Sequence, residues 1–238
     1  MARQEIEVKG CVTTLTERLA DVEKRLQDAC LRSGRRREDV NVIAVTKYVS
    51  VETAQGAVEA GIRHLGENRW PDSKDKWEAL NGQAAFHFIG SLQSKKAKDV
   101  VGRFAVIHSL DRLSLAEAVQ QKAALLGIEV PCFIQVNVSG EDSKHGLTPE
   151  EVVPFAEGLA AYPLVKPIGL MTMAPHETDP EATRYVFRGL RELRDKLNDG
   201  IFRDRPLTEL SMGMSNDFEV AVEEGATWVR LGTVLVGQ

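Results

Sequence analysis

The sequence lacks the features that mark several common classes of protein. Acidic side chains outnumber basic ones among its 238 residues, so that the formal net charge is −5. This charge argues against nucleic acid as the main partner, because a phosphate backbone requires a basic surface. No apolar stretch approaches the ~18 residues of a membrane span, and residues 1–10 carry charges instead of an apolar signal core.

Cysteine is scarce and shows no pattern of metal ligands. The chain contains Cys11, Cys30 and Cys132, an odd number at wide spacing. Such usage suits a reducing compartment, in which buried cysteines act as small apolar residues. Together with the absence of a signal core and of a membrane span, it predicts a cytoplasmic protein.

Apolar segments of two kinds alternate from residue 41 to the end of the chain. The strand candidates are Val42–Thr46, Ile62–Leu65, Phe86–Ile89, Ala105–His108, Val130–Val136, Val165–Leu170, Leu207–Ser211 and Thr227–Leu231. Helical periodicity predicts Val51–Ala60, Leu113–Leu126, Glu150–Ala161, Glu181–Leu197 and Phe218–Glu223 between them.

This alternation predicts an α/β fold with a parallel sheet, and eight repeats predict closure into a (β/α)8 TIM-type barrel. An open, doubly wound sheet is the alternative, but the glycine-rich dinucleotide motif that often accompanies it is absent. We expect residues 1–238 to form a single domain with an N-terminal helix at about residues 14–33, where leucines recur at helical spacing.

Lys47 lies at the end of the first strand candidate, whose residues are small or β-branched. Parallel barrels carry their chemistry at the carboxyl ends of their strands. An apolar wall behind a lysine stem can lower the amine pKa and favour Schiff-base chemistry. The alternative is a lysine that ends a strand by extending to the surface.

Two clusters of small residues follow the seventh and eighth strands, where barrels often bind phosphate. Residues 211–215 read Ser-Met-Gly-Met-Ser and precede a helix predicted near Asp217, and Gly232-Thr233 ends the last strand. Hydroxyl groups and free backbone N–H groups in such turns can bind an anion. The alternative is that both are ordinary turns.

Arg230 lies within the eighth strand, where an inward guanidinium must find an acceptor. Glu67 or Asp217 could serve as a structural partner, or the side chain could donate to a ligand. Four of the five methionines follow strands six and seven, which predicts a soft wall for a planar ring. They are Met171, Met173, Met212 and Met214.

Histidines near the strand ends are interpreted as structural. His87 and His108 have no acidic neighbour at a spacing typical of a catalytic triad or of a metal site. His64 and His176 are expected at the surface.

Six motifs in this order resemble those of the pyridoxal phosphate homeostasis proteins, from about Val42 to Gly237. The motifs are Lys47, Gly-Glu-Asn-Arg at 66–69, His-Phe-Ile-Gly-Ser-Leu-Gln-Ser at 87–94, Gly-Leu-Met-Thr-Met at 169–173, Leu-Ser-Met-Gly-Met-Ser at 210–215 and Val-Arg-Leu-Gly-Thr at 229–233. The methionine–glycine motif with Arg-Leu-Gly-Thr downstream is the most specific of them.

The resemblance implies a barrel like the N-terminal domain of alanine racemase, with pyridoxal 5′-phosphate (PLP) held as a Schiff base on Lys47. Phosphate would be held by Ser211, Gly232 and Thr233, and Arg230 would face the pyridine nitrogen. Asn68 and His87 would line the ring. With the methionine wall, the predicted cofactor-binding residues are Lys47, Asn68, His87, Ser211, Met212, Arg230, Gly232 and Thr233.

The resemblance implies a carrier or buffer of PLP in the cell with no established catalysis. A PLP-dependent racemase or decarboxylase of the same fold type is the alternative, and a cofactor-free aldolase that uses Lys47 is a third hypothesis. We expect a monomer, with PLP-dependent enzymes in their cofactor-free form as candidate partners. Lys95, Trp70 and Val236 depart from the family pattern, away from the lysine and phosphate positions.

Overall fold

Parallel strands closed into a barrel form the centre of the fold. The structure, a computed structural model, describes residues 14–141 and 144–237. Within them the strands follow one another around the barrel in chain order. They are β1 (Asn41–Val45), β2 (His64–Glu67), β3 (Ala85–Phe88), β4 (Val106–Leu110), β5 (Val130–Gln135), β6 (Val165–Met171), β7 (Glu209–Ser211) and β8 (Trp228–Leu231).

The barrel closes where the first strand pairs with the last. Ala44 of β1 lies opposite Leu65 of β2 on one side and opposite Leu231 of β8 on the other. Every pairing is parallel, as the alternation of strands and helices requires. The predicted (β/α)8 barrel is therefore confirmed, and the open sheet is excluded.

Helices precede the first strand and connect each strand to the next. They are α1 (Leu15–Arg32), α2 (Val51–Glu59), α3 (Lys74–Leu80), α4 (Ala97–Val100), α5 (Leu113–Leu126), α6 (Val152–Gly158), α7 (Arg184–Asp199) and α8 (Phe218–Glu223). The sequence did not predict α3 and α4, because each is too short to repeat an apolar pattern. In the part of the chain that the structure describes, no helix is long and apolar enough to cross a membrane.

Helix α1 precedes the barrel and packs on α8. Thr14 caps its first turn through reciprocal hydrogen bonds with Glu17. Its apolar face is buried, and Arg25 and Arg32 form ion pairs with Glu219 and Glu223 of α8 at 2.8 and 2.7 Å. The helix expected at about residues 14–33 is thus present, between capping residues Thr14 and Ser33.

Two strands, β2 and β7, begin two residues later than the sequence predicted. Ile62 belongs to the turn that ends α2, since its N–H donates to the carbonyl of Ala57 at 3.0 Å. Leu207 lies outside β7 because its N–H donates to the side chain of Asn198 at 2.8 Å. Apolar runs predicted the presence of these strands but not their first residues.

Cysteines take the places of small apolar residues in the described part of the chain. Cys30 and Cys132 are buried and unpaired, as expected. Burial in an apolar environment raises the pKa of both thiols. The same expectation for Cys11 lies outside the described residues.

A buried ion pair joins α3 to the first two strands. Lys76 Nζ lies 2.7 Å from Glu67 Oε1, and both side chains are buried. The ammonium group also donates to the carbonyl of Thr46, whose hydroxyl donates to Glu67 at 2.6 Å. Because Thr46 directly precedes Lys47, this pair fixes the backbone at the end of β1.

Replacing Lys76 should destabilise the protein far more than replacing its neighbour on the same helix. Lys76→Ala leaves the Glu67 carboxylate buried without its counter-ion, which costs about 3–5 kcal/mol. Lys74→Ala, the control, removes a half-exposed side chain whose pair with Glu78 contributes about 0.5 kcal/mol. Urea unfolding of both variants measures the difference, and equal midpoints would contradict the role of the buried pair.

Candidate functional site

Lys47 lies in the turn that follows β1, at the carboxyl end of the barrel. The N–H of Thr46 donates to the carbonyl of Gly66 at 3.0 Å, which continues the sheet up to the lysine. Lys47 is half-buried, whereas the neighbouring Tyr48 is 70% exposed. Lys47 thus lies at the barrel mouth, with its ammonium 5.0 Å from the centre of the exposed Tyr48 ring.

Two adjoining cavities open at this mouth, with volumes of about 280 and 230 Å³. Lys47, Val45, Met214 and Arg230 line both of them. The larger cavity is completed by Pro175, His176, Ser215, Asn216, Asp217, Gly232 and Thr233. The smaller is completed by Asn68, Ile89, Gly90, Ser91, Gln135, His145 and Met173.

The turn after β7 requires its glycine. Gly213 has φ +89°, and a Cβ there would lie 2.6 Å from the Cβ of Ala221 on α8. The carboxylate of Asp217 closes the turn by accepting the N–H of Met214 at 2.6 Å. Burial raises the pKa of this carboxyl, although the Met214 hydrogen bond and the charge of Arg230 act in the opposite direction.

The turn after β8 meets this loop through a direct hydrogen bond. The N–H of Gly232 donates to Ser215 Oγ at 3.2 Å. The carbonyl of Gly232 accepts the N–H groups of Leu235 and Val236 at 3.0 and 2.9 Å, which forms a single helical turn. The N–H of Gly232 is taken by Ser215, whereas those of Thr233 and Val234 have no acceptor within the turn and are available to a ligand.

Packing within the protein does not require glycine at position 232. Its φ is not positive, and a Cβ there would meet only the side chain of Val45, at an ordinary 3.7 Å. Position 213 is different, because both backbone conformation and packing require glycine there. Space left open at Gly232, between hydroxyl groups and backbone donors, matches the close approach of a phosphate group.

Arg230 lies almost wholly inside the barrel, with 4% of its surface exposed. Its guanidinium donates to Ser211 Oγ at 2.7 Å and to the carbonyl of Thr172 at 2.9 Å. Burial lowers the arginine pKa to about 10, so the group stays charged at neutral pH. These contacts use two of its five N–H groups, and the side chain lines both cavities.

The sequence left open a carboxylate partner for Arg230. Among the described residues, no carboxylate accepts a hydrogen bond from its guanidinium. Glu67 pairs with Lys76, and Asp217 accepts the N–H of Met214. Arg230 instead depends on one hydroxyl and one carbonyl, both neutral. Asp217 acts on it only through its charge.

The structure brings together five of the eight residues that the resemblance implied. Lys47, Arg230, Gly232 and Thr233 line the larger cavity, and Asn68 lines the smaller one with Lys47 and Arg230. The other three, Ser211, Met212 and His87, do not line either cavity.

Ser211 and Met212 are fully buried behind the cavity walls. Ser211 ends β7 with its side chain directed into the barrel, where it contacts Arg230 and His108. Met212 is fully buried in the apolar core. Neighbouring residues of the same loop, Ser215 and Met214, lie on the walls instead.

His87 is not on the cavity wall either. It is buried inside the barrel, where its two ring nitrogens contact His64 and His108 at 3.0 and 2.9 Å. His64 is half-buried in this contact, so the expectation of a surface position for it was wrong. His176 is exposed as expected, although it borders the larger cavity.

Sequence reasoning missed Lys76 and did not distinguish Ser215 from Ser211. The two serines flank the same Met-Gly-Met segment, and choosing between them requires knowing which residue β7 turns inwards. No pattern pointed to Lys76, because α3 is short.

Comparison with known proteins places the chain in the structural class of the alanine racemase N-terminal domain. Residues 24–238 match the family model described as the N-terminal domain of alanine racemase. The barrel is also similar to alanine racemase of Clostridium difficile 630, with a TM-score of 0.74 and 17% identity over 93% of this chain and 56% of the racemase. At that identity the likeness concerns the fold alone.

Relatives of much higher identity define the family. The chain is 44% identical over 223 residues to a pyridoxal phosphate homeostasis protein of Aquifex aeolicus, over 93% of this chain and 97% of the relative. PipY of Synechococcus elongatus PCC7942, solved with PLP bound, has a TM-score of 0.81 and 35% identity over 94% of this chain and 100% of PipY. The chain belongs to the family of pyridoxal phosphate homeostasis proteins.

Proposed function

We propose that this protein binds PLP covalently through Lys47 and acts as a monomeric cytoplasmic carrier and buffer of the cofactor. One observation carries the proposal: Lys47, Arg230 and the turns at Ser215 and Gly232 line the same cavity. PLP-dependent enzymes that lack their cofactor are the proposed recipients. The names of the curated relatives and the PLP bound to PipY support this function.

The groups around the cavity suit each part of the cofactor. A phosphate group would take donors from the hydroxyl of Ser215 and from the hydroxyl and backbone N–H of Thr233, and position 232 leaves space for it. Met214 and Met173 offer polarizable contacts to a ring. Arg230 offers N–H donors and no acceptor, so it would meet an unprotonated pyridine nitrogen.

The positive charge of Arg230 beside the pyridine nitrogen favours a carrier over an enzyme. PLP supplies an electron sink for bonds to Cα, and the sink is strongest when its ring nitrogen is protonated. Arg230 stays charged at neutral pH and cannot accept a proton. Its presence therefore favours holding the cofactor over using it, although it does not by itself forbid catalysis.

Racemase or decarboxylase activity is the second candidate, because two histidines border the cavities. Tyr48, His87 and His108 do not line either cavity, because Tyr48 is 70% exposed and both histidines are buried behind the wall. His145 and His176 line the cavities instead. A base near Cα is what racemisation would need.

Lys47 should carry the cofactor after reduction. Borohydride treatment of PLP-loaded protein followed by mass spectrometry should place the pyridoxyl group on the peptide that contains Lys47. Lys144 is a competitor, since its ammonium donates to the carbonyl of Met173 on the wall. An adduct mainly on Lys144, Lys95 or Lys96 would overturn the proposal, and Lys47→Ala should retain weak binding through the phosphate donors.

Gly232→Ala should weaken PLP binding without weakening the fold. The added methyl group occupies the proposed phosphate space, so we expect affinity to fall by about tenfold or more. Cofactor-free protein should be as stable or gain about 0.4–1 kcal/mol, because alanine fits this backbone. Gly56→Ala, away from the cavities, is the matched control and should leave affinity unchanged. Equal PLP affinity in wild type and Gly232→Ala would place the phosphate elsewhere.

Loaded protein should not turn over amino acids at enzymatic rates. Incubation with a panel of L-amino acids, followed by chiral analysis and carbon dioxide detection, should give exchange at Cα at most. Several turnovers per second on any substrate would favour the second candidate, and loss of that rate in His176→Gln or His145→Gln would identify its base.

A further inference from the structure

A row of hydrogen-bonded side chains crosses the barrel interior and ends at Arg230. His64 Nδ1 lies 3.0 Å from His87 Nε2, and His87 Nδ1 lies 2.9 Å from His108 Nε2. His108 Nδ1 then lies 3.0 Å from Ser211 Oγ, which accepts from Arg230 at 2.7 Å. These contacts join β2, β3, β4, β7 and β8.

Aromatic rings surround this row and keep water from its middle. Phe133 stacks on His108 with ring centroids 4.4 Å apart. Trp228 lies 5.0 Å from the ring of His87 and meets the edge of His64 at 4.8 Å. Burial lowers the pKa of His87 to about 3 and that of His108 well below its usual value, so both rings are neutral.

The two ends of the row open on opposite faces of the barrel. Arg230 lines the cavities at the carboxyl ends of the strands. Half-buried His64 lines a separate space of about 560 Å³, the basal cavity, at their amino ends. This cavity is bounded by Leu19, Leu26, Val40, Ile62 and Arg63, among others.

The proton positions along the row follow from Arg230, which can only donate hydrogen bonds. Arg230 can only donate, so Ser211 accepts from it and has its own proton left to donate to His108 Nδ1. Each neutral ring then carries its proton on Nε2. This N–H donates a hydrogen bond to Nδ1 of the next ring, and the last acceptor is His64. In the reverse arrangement Ser211 Oγ would accept from both His108 and Arg230, and its own proton would have no acceptor in the row. One direction therefore satisfies every group between Arg230 and His64.

We propose that Ser211, His108, His87 and His64 are positioning residues that hold Arg230 towards the ring nitrogen of the bound cofactor. This inference rests on the proposed function, because it assigns Arg230 to PLP. If His64 takes up a second proton on Nδ1, this N–H faces the N–H at Nε2 of His87, and neither group has an acceptor in this contact. The position of Arg230 thus depends on a neutral histidine at the far end of the barrel.

Other groups that face His64 are few among the described residues. Arg63 precedes it, and Arg37 and Glu23 line the same basal cavity and pair with each other at 2.8 Å. His87 and Trp228 cover its inner side. Burial alone lowers the pKa of His64, so its protonation falls below the usual range near 6.5.

The row can be tested without cofactor by nitrogen NMR of the imidazole rings. At pH 7.5 we expect His64, His87 and His108 of the cofactor-free protein to be neutral and protonated on Nε2. Protonation on Nδ1, or a charged ring, would overturn the proposal. Because PLP is absent, this result does not depend on the proposed function.

Affinity measurements test whether the row acts on the cofactor. Ser211→Ala removes one of the two acceptors of Arg230 and should weaken binding of both PLP and pyridoxal by about tenfold. Thr233→Ala, whose hydroxyl faces the proposed phosphate, should weaken PLP only. Unchanged affinity of Ser211→Ala, or a loss confined to PLP, would contradict a role through Arg230.

A pH profile separates positioning from a merely structural role. His64→Gln keeps an acceptor for His87 but cannot take a proton. We expect wild-type PLP affinity to fall more steeply than that of His64→Gln as the pH decreases from 8 to 5. Thr16→Ala, a neutral change in the basal cavity, should follow wild type. Parallel wild-type and His64→Gln profiles would overturn the proposal, whereas absence of PLP binding to wild type would instead overturn the proposed function.

Discussion

A charged guanidinium inside the barrel is the constraint on which the site depends. Arg230 is buried, and a buried charge without partners is too costly to keep. Its acceptors come from Thr172 after β6 and from Ser211 of β7. Both lie beside β8 only because the barrel closes in chain order. Fold and site are therefore coupled through one side chain.

The hydrogen bond between Ser211 and Arg230 explains which residues of the loop after β7 line the cavity. With that hydroxyl turned inwards, the next serine of the loop, Ser215, meets the turn after β8. Gly213 allows the intervening backbone to reverse against α8. Lys47 is fixed independently, because Thr46 is held by the buried pair of Lys76 and Glu67. Two separate polar clusters thus support the two sides of one cavity.

Much of the fold could be predicted from the sequence, because strand and helix periodicities are local. The presence of all eight strands followed from such patterns, and so did the positions of Lys47 after the first strand and of Arg230 within the eighth. The direction of a side chain could not be predicted at β7, since this strand is only three residues long. The sequence therefore predicted Ser211 and Met212 at the site, whereas Ser215 and Met214 line the cavities.

The histidine row was equally inaccessible to sequence reasoning. His64 and His87 are 23 residues apart, and their contact depends on the register of β2 and β3. In that register His64 lies opposite Ala85, two residues before His87, and His87 lies opposite Val106, two residues before His108. The stagger of a closed barrel sets these offsets, and no local pattern encodes them.

A crystal structure of the protein with PLP tests the account most directly. It should contain continuous density from Lys47 Nζ to the cofactor, the phosphate against Ser215, Gly232 and Thr233, and the pyridine nitrogen within hydrogen-bonding distance of Arg230. A phosphate bound outside these turns, or a ring nitrogen facing away from Arg230, would contradict it.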